Sequence, residues 1–428
     1  MPFLIFLLLI SGVLPGNTGF LFANENPEPI AISLDQATQL VKKNNPDIRL
    51  QEIAVQKATE EVKLATRAFI PDLDLDYIAS SGAGGFGLIL TAAKLLKPVF
   101  SFKKLMTEKE VKKILREKEK VLIRYRELEV EYSVKELYVT LLVQRKLVRI
   151  LSQNAARSFL RFKLKKIHYK EGGLNDEDLL KEKLALETAR AESRKAKTWL
   201  RQSQFAFSRL LGLTPDKPFS LMPIPSDSNG FPLNLEECLT VAYAKNAFVQ
   251  ALLLEEKASH KRLKIKDPRF RVDGPFIGLG ESSGGLFAGK PRYGLVGNFV
   301  LYDWGKSQIQ KNIMGLEDKE LLLQHDKQFQ AFEAAIVKSY FDLQRLQNEI
   351  SESGTKSELF YESTRREKIL REIGRVRETD LLSLENEYAI QETEDWQKHL
   401  EYFLIRERLV KDLGFSSLNE LEKGAKAQ

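Results

Sequence analysis

The feature that most constrains this chain is a stretch of about 70 residues, from Phe102 to Glu171, that contains neither proline nor glycine. Because these two residues are the ones that most readily end or kink a helix, the stretch can form a single uninterrupted α-helix. At about 1.5 Å per residue, such a helix is about 100 Å long. No compact domain covers that length, so we expect this helix to pack lengthwise against other long helices.

Apolar residues recur every seven positions along this stretch. A seven-residue repeat corresponds to about 3.5 residues per turn, which favours left-handed supercoiling of the helix with its partners. The recurring positions are Ile114, Val121 and Leu128, followed by Val134, Leu141, Val148, Ala155 and Phe162.

The sequence also repeats itself after about 200 residues. Landmarks of the first half return in the same order in the second half, and the proline-rich segment Thr214–Pro232 joins the two halves. An ordered series of this kind indicates a tandem duplication. The matched landmarks are Leu34 and Asn45 with Leu235 and Asn246, Pro71–Asp76 with Pro268–Asp273, Val99–Lys104 with Leu301–Lys306, Gly172 and Asp178 with Gly374 and Asp380, and Leu211–Leu213 with Leu413–Phe415.

The duplication predicts the same order of elements in each half: a helix, two strands, a very long helix, a turn and a returning helix. The predicted fold is therefore mainly α with a small β part. The first repeat covers 24–213, with helices at 31–68, 102–171 and 175–211 and strands near 71–80 and 87–100. After a linker at 214–232, the second repeat covers 233–415, with helices at 234–266, 307–373 and 375–413 and strands near 269–280 and 293–303, and a tail follows at 416–428.

The N-terminus has the pattern of a secretory signal peptide. Residues 1–23 carry no charged side chain, the run from Phe3 to Leu14 is almost wholly apolar, and a candidate cleavage point follows Ala23. The apolar run is too short to span a bilayer as a helix but has the length of a signal sequence. The prediction is an exported protein; a buried N-terminal helix is the alternative.

The segments that follow the first helix of each repeat alternate in the manner of strands. Asp72, Asp74 and Asp76 alternate with leucine and tyrosine, and Arg271 and Asp273 alternate with phenylalanine and valine. Alternation of this length with aromatic residues near the ends is typical of outer-membrane barrel strands, and it predicts that the five charged residues face a barrel lumen.

Four strands cannot close a barrel, and lipid does not tolerate open sheet edges. If these segments lie in a membrane, several chains must combine to close the sheet. The alternative is a pair of exposed hairpins on a soluble coiled-coil protein.

Composition argues against most enzyme classes. The single cysteine, Cys238, excludes an internal disulfide framework and a cysteine-based metal cluster, and the four histidines are far apart in sequence. The segment Gly284–Lys290 resembles a phosphate-binding loop, but Pro291 stands where the hydroxyl ligand for Mg²⁺ belongs. With 66 Lys and Arg against 59 Asp and Glu, the charges are mixed, as on solvated helix faces, and do not favour nucleic-acid binding. We expect no enzymatic activity and no cofactor or metal.

Taken together, the layout resembles the TolC-type outer-membrane efflux proteins. The resemblance rests on the signal peptide, two repeats of about 200 residues, the opening pattern Ser33-Leu34…Asn45-Pro46, the step Tyr302–Lys306, and the spacing from each tip glycine to Asp-Leu-Leu. The chain departs from the family in having Ala247 where the first repeat has Pro46, and in the high charge of its helices.

The resemblance implies a homotrimer in the outer membrane, in which each chain gives four strands to a 12-stranded β-barrel. The helices then form a tunnel across the periplasm that docks on a periplasmic adaptor and an inner-membrane pump or ABC exporter. Such a protein is a passive exit duct of an efflux or type I secretion system. A periplasmic adaptor and a soluble periplasmic coiled-coil protein are the alternative functions.

The resemblance also assigns a candidate entrance at the hairpin tips. In the family, an aspartate six residues after the second-repeat glycine narrows the periplasmic end, and this position is Asp380 here. The equivalent residue of the first repeat is Asp178, and Gly172, Gly374 and Arg377 complete the candidate tip set. The alternative interpretation is that both aspartates simply cap the helices that follow.

Overall fold

The computed structural model describes residues 30–70, 74–79, 86–91, 97–213, 219–224, 230–263, 270–279, 291–299, 305–373 and 378–425. These residues form a mainly helical structure with a few strands, which confirms the predicted fold class. The predicted signal peptide, 1–23, lies outside the described residues.

The two repeats contain corresponding elements. The first consists of β1 (Ile30–Ile32), α1 (Leu34–Asn44), α2 (Pro46–Arg67), β2 (Asp74–Ala79), β3 (Phe86–Thr91), α3 (Lys97–Lys170) and α4 (Asp176–Leu211). The second consists of β4 (Phe219–Leu221), α5 (Leu235–Lys245), α6 (Ala247–Arg262), β5 (Phe270–Leu279), β6 (Pro291–Phe299), α7 (Lys306–Glu372), α8 (Glu378–Asp412) and α9 (Leu418–Ala425).

The long helices are as continuous as the sequence predicts. Helix α3 has 74 residues, which corresponds to about 110 Å, and α7 has 67. The predicted strand at 87–100 was too long, because the chain is already helical at Lys97. Pro98 is compatible with this earlier start, since the first turn of a helix does not need its N–H group.

The opening helix predicted at 31–68 is two helices that meet at Asn45. This residue has an extended backbone (φ −69°, ψ 127°), because Pro46 disfavours helical geometry in the residue before it. Its side chain then caps α2 by accepting a hydrogen bond from the Asp47 N–H at 2.7 Å. At the other end of α1, Ser33 forms a capping box with Gln36.

The helix predicted at 234–266 is divided in the same way at Asn246, although no proline follows it. Its side-chain oxygen accepts a hydrogen bond from the Phe248 N–H at 2.8 Å, and its amide group donates to the Asp412 carbonyl at 2.7 Å. Capping and a tertiary contact therefore divide the helix of the second repeat, whereas proline helps to divide that of the first.

Helix α3 is one of the two inner helices of the layer at both ends of the molecule. Near the strands, the helices are arranged in the order α2, α3, α6, α7. Toward the hairpin turns, the order is α4, α3, α8, α7. At both ends α7 lies on one outer side of the layer, and α2 or α4 lies on the other.

The larger sheet has four antiparallel strands in the order β2, β3, β5, β6. The two hairpins are joined where Leu90 of β3 pairs with Ile277 of β5. Strands β2 and β6 are the two edges of this sheet.

A second, parallel sheet pairs β1 with β4, so that Ile30 lies opposite Phe219 and Ile32 opposite Leu221. The sequence interpretation placed β4 in a linker and did not predict β1. Three residues are too few to show the alternation that identifies a strand.

Two buried clusters hold the repeats together. In the first, Tyr138 of α3 and Phe207 of α4 are fully buried, and the Tyr138 hydroxyl lies 3.0 Å from the Ile32 carbonyl and 2.7 Å from the Met222 carbonyl. Leu400 of α8 joins this cluster, so the second repeat contributes to the core of the first.

The second cluster includes Cys238, Ile336, Leu409 and Leu413. Leu421 of α9 is also buried in it, so the tail predicted at 416–428 contains a helix that packs against the second repeat. The same C-terminal segment contacts the first repeat, because Lys135 of α3 lies 2.8 Å from the Ser416 carbonyl and pairs with Glu407.

Two glycines with left-handed backbones provide a test of this packing. Gly172 (φ 76°) ends α3 in open surroundings, whereas a Cβ at Gly414 (φ 93°) would lie 2.8 Å from the Lys245 carbonyl oxygen. We expect Gly172→Ala to cost about 1–2 kcal/mol of backbone strain. Gly414→Ala adds about 1–3 kcal/mol more because backbone atoms must move.

The measurement is the thermal unfolding midpoint by circular dichroism, with the Gly172→Ala protein as the matched control. Equal midpoints for the two variants would contradict the close contact between Gly414 and the α5–α6 junction.

Candidate functional site: the hairpin tips and the outer sides of the layer

The turn between α3 and α4 forms a compact tip. Gly172 takes the left-handed conformation that glycine adopts without strain, and its N–H donates to the Tyr169 carbonyl at 3.1 Å. The Gly173 N–H donates to the His168 carbonyl at 3.0 Å. These bonds satisfy carbonyls that the end of α3 would leave unpaired.

Asn175 caps the returning helix, because its side-chain oxygen accepts a hydrogen bond from the Asp178 N–H at 2.8 Å. Asp178 is the third residue of α4, so the interpretation of Asp178 as an N-cap is wrong. Together with Asp176 and Glu177, it places negative charge on the first turn of the helix, where the helix dipole favours it. The Asp178 side chain is exposed, and the described residues offer it no ion pair.

A side-chain contact also closes this tip. The Tyr169 hydroxyl donates a hydrogen bond to the Asp176 carboxylate, and this bond raises the pKa of the Tyr169 phenol above its ordinary value. Further from the turn, Arg161 pairs with Glu182 at 2.8 Å. The two antiparallel helices are thus linked by polar contacts at the turn and again further from it.

The aspartate at the tip of the second repeat has the same position in its helix as the aspartate of the first repeat. Asp380 is the third residue of α8, as Asp178 is of α4, so it lies inside the helix and not before it. Gly374 and Arg377 belong to 374–377, outside the described residues. The sequence therefore located both aspartates at equivalent positions of the two returning helices.

The candidate lumen residues are distributed over two strands of the larger sheet. Asp74 and Asp76 lie in β2 and pair in register with Thr91 and Ile89 of β3. Arg271 lies in β5 opposite Asn298. Asp72 lies outside the described residues.

Asp273 lies at a register shift between Val272 and Gly274. The sequence interpretation treated Asp273 as continuing the alternation of Arg271, but a bulge adds one residue to the strand and interrupts that alternation.

The sequence interpretation missed an exposed apolar stripe along α7. Its members follow each other at intervals of four, three, seven and then twice 18 residues, and 18 residues equal about five helical turns, so they share one face. This face is exposed in the single chain, with Leu316 and Leu323 exposed by 63% and 69%. The stripe consists of Ile309, Ile313, Leu316, Leu323, Phe341 and Leu359.

Exposed apolar residues also lie on the two helices at the opposite side of the layer. Leu50 and Ile53 are exposed on α2, and Leu180, Leu184 and Trp199 are exposed on α4. The helical spacing of these residues was visible in the sequence. What the sequence could not show is the order of the helices, which places α2 and α4 at the outer side of the layer.

The order of the strands matches the order of the helices. The helices α2, α3, α6 and α7 connect in sequence to β2, β3, β5 and β6, respectively. One outer side of the protein therefore carries α2, α4 and the edge strand β2, and the other carries α7 and the edge strand β6.

Among the described residues, no group of His, Cys, Asp and Glu is arranged to hold a metal ion. Within the same part of the chain, no helix combines the length and the apolarity that crossing a bilayer requires.

Comparisons with known proteins agree with this architecture. Residues 37–213 match the family model described as outer membrane efflux protein. The fold is similar to the CmeC outer membrane channel of Campylobacter jejuni, with a TM-score of 0.69 and 12% identity over 92% of this chain and 88% of that one.

It is also similar to the MtrE outer membrane channel of Neisseria gonorrhoeae, with a TM-score of 0.68 and 14% identity over 90% of this chain and 89% of that one. The outer membrane protein VceC of Vibrio cholerae gives a TM-score of 0.61 at 14% identity, over 90% of this chain and 96% of that one. Curated proteins give no match to the sequence.

The family model covers the first repeat, and the similar structures extend the same fold over about nine-tenths of the chain. Most of the first repeat thus matches the outer membrane efflux protein family, within a fold that the chain shares with solved outer membrane channels.

Proposed function

We propose that this protein is the outer-membrane duct of an efflux or type I secretion system. It carries out no covalent chemistry and provides an exit path for substrates that an inner-membrane partner drives. Its strands lie in the outer membrane, and its helices extend through the periplasm.

The observation that carries this proposal is that both outer sides of the protein present a sheet edge and exposed apolar residues. One side presents α7 and the edge strand β6, and the other presents α2, α4 and the edge strand β2. Each side has apolar residues that are exposed in the single chain. Because the two sides differ, copies associate head to tail, and a head-to-tail interface forms a ring when its rotation closes.

Three copies close the ring in the proposed assembly. Four strands per chain then make a barrel of about 12 strands, with β6 of one chain paired to β2 of the next. Closure removes the sheet edges that lipid would leave without hydrogen bonds. In the helical part, the apolar stripe of α7 packs against α2 and α4 of the adjacent chain.

The charged strand residues and the hairpin tips have separate roles in this assembly. Asp72, Asp74, Asp76 and Arg271 face the water-filled lumen of the barrel, and Asp273 lies at the bulge that follows Arg271. At the other end, three copies of Asp380 form a carboxylate ring at the entrance, where rings of this kind favour cations.

The remaining tip residues shape that entrance. Gly172 and Gly374 allow the sharp turns, Asp178 lies at the first-repeat tip, and Arg377 is available to hold an adjacent carboxylate. The tips dock on a periplasmic adaptor, which connects the duct to an inner-membrane pump or ABC exporter.

Cell fractionation followed by mass measurement tests the proposal. We expect the protein in the outer-membrane fraction, extractable with mild detergent, and a trimeric mass by light scattering. Wholly soluble protein would contradict the duct and favour a coiled-coil or adaptor function, and a dimeric mass would contradict the ring.

The apolar stripe generates a mutational prediction. Leu316 belongs to the apolar stripe of α7 and is 63% exposed in the single chain. Leu316→Asp places a charge on this stripe, which an adjacent chain would cover in the ring. Since an unpaired buried charge is strongly unfavourable, we expect a large loss of trimer, measured by light scattering in mild detergent.

Leu253→Asp is the matched control, because Leu253 is 51% exposed on α6, which lies between α3 and α7 of its own chain. We expect it to leave the trimer intact. Equal effects of the two substitutions would argue against α7 as the contact between chains.

The carboxylate ring generates a second prediction. Three Asp380 side chains near the axis repel each other and require a cation or a basic group nearby. We expect Asp380→Ala to change single-channel conductance or cation preference in planar bilayers while the trimer stays assembled.

Asp178→Ala serves as the control, since Asp178 has the same helix position in the other hairpin. We expect it to change conductance less than Asp380→Ala does. Unchanged conductance and selectivity in an assembled Asp380→Ala trimer would remove this residue from the entrance, although the duct would stand.

A further inference from the structure

A cavity of about 840 Å³ lies between α2, α3, α6 and α7, near the ends of these helices that connect to the strands. Its size falls within the usual range for sites that bind small molecules. Small side chains on facing helices leave this space open, among them Ala65 on α2 and Ala258 and Ser259 on α6. Both repeats contribute to it, so neither half of the duplication forms this cavity alone.

The inner surface of the cavity is mainly apolar. Val111 and Leu115 line it from α3, and Met314 and Leu321 line it from α7. Val111 is 8% exposed and Ala258 is 4% exposed, so this floor is an extension of the packed interior. A ligand here would gain free energy by burying its own apolar surface.

The charged side chains that line the cavity are mostly negative. The cavity is lined by five carboxylates and two cations, Lys112 and Arg262, which gives a formal excess of three negative charges. The carboxylates are Glu61, Glu108, Glu255, Glu317 and Asp318.

Three of the five carboxylates already have partners. Glu61 pairs with Lys112 at 2.8 Å, and this hydrogen bond lowers the pKa of the Glu61 carboxyl. Glu255 pairs at 2.9 Å with Lys118, which does not line the cavity. Asp318 accepts a hydrogen bond from the Ser259 hydroxyl.

The other two carboxylates, Glu108 and Glu317, form no ion pair or hydrogen bond within the described part of the chain. They lie on α3 and α7, two helices that are separated by α6 in the layer. A mainly apolar cavity that is also lined by two carboxylates without an ion pair is complementary to a molecule that carries both an aromatic or aliphatic body and a positive charge.

We propose that this cavity binds small amphipathic cations, with the apolar body of the ligand against the floor and its charge near Glu108 and Glu317. A bare metal ion does not fit this arrangement, because no group of side chains in the described residues is placed to coordinate one. An anion would be repelled by the negative excess.

Binding of rhodamine 6G to the full-length protein in a non-ionic detergent tests the proposal. Fluorescence anisotropy is measured as a function of protein concentration, with the signal of empty micelles subtracted. We expect saturable binding that weakens as salt is added, because exposed charges are screened. Fluorescein, which has the same ring core but a negative charge, should not bind saturably.

Two substitutions remove the charges without changing the size of the side chains. We expect Glu108→Gln or Glu317→Gln alone to raise the dissociation constant for rhodamine 6G about two- to fivefold, as for other partly exposed charge pairs. The double variant should show the combined loss.

Glu358→Gln is the matched control, since Glu358 is also an exposed glutamate of α7 without an ion pair among the described residues, but lies 41 residues beyond Glu317. We expect this variant to bind as the unaltered protein does. Ala65→Leu, which fills the space and keeps all charges, should also weaken binding.

Absence of saturable binding to the unaltered protein would overturn the proposal. So would equal affinities in the double variant and the Glu358→Gln control. The assay needs only the folded protein in detergent, so its failure would leave the duct function standing. A failure of the fractionation test would leave this binding site standing.

Discussion

The rest of this structure depends on the length of α3. This helix has 74 residues, and its apolar face must pack against other helices along that whole length. Helix α3 is about 110 Å long, far more than one returning helix of 36 residues covers. The chain solves this by placing α4 against one part of α3 and α2, α6 and α8 against the others. The duplication provides these helices, and it explains why the second repeat packs against the first instead of forming a separate domain.

The same constraint explains where the polar contacts between the repeats occur. Near the middle of α3, Lys135 pairs with Glu407 of α8 and donates to the Ser416 carbonyl, while Arg124 lies 3.2 Å from Glu420 of α9. The Lys135 and Glu407 side chains are exposed by only 12% and 7%, so losing one partner would leave a charge poorly solvated. The C-terminal segment is thereby attached to the helix that also carries the core of the first repeat.

Long-range regularities made most of the fold predictable from the sequence. The absence of proline and glycine located α3, and the repeated landmarks located its counterpart α7 together with the strand pairs. Features that depend on one or two residues were predicted less well. The division at Asn246 depends on a hydrogen bond to the distant Asp412 carbonyl, and the β1–β4 pairing joins segments too short to show a pattern.

The candidate site was predictable to a similar degree. Spacing from the tip glycines placed Asp178 and Asp380 at matching helix positions, but the identity of the N-cap, Asn175, depends on local backbone geometry. The apolar stripe of α7 was visible as a helical period, yet its exposure follows from the order of the helices, which the sequence alone does not reveal. The bulge at Asp273 is likewise a property of strand pairing and not of one strand.

The position of Cys238 has a practical consequence for studying this protein. The thiol is fully buried in the second core cluster, and burial raises its pKa to about 12. Since thiolates and not thiols react with maleimides and methanethiosulfonates, this cysteine stays inert in the folded chain at neutral pH. Cysteines introduced on α7 or at the tips can therefore carry spin labels or fluorophores without removal of the native one. Distances between chains then become measurable by paramagnetic resonance in an otherwise unaltered protein.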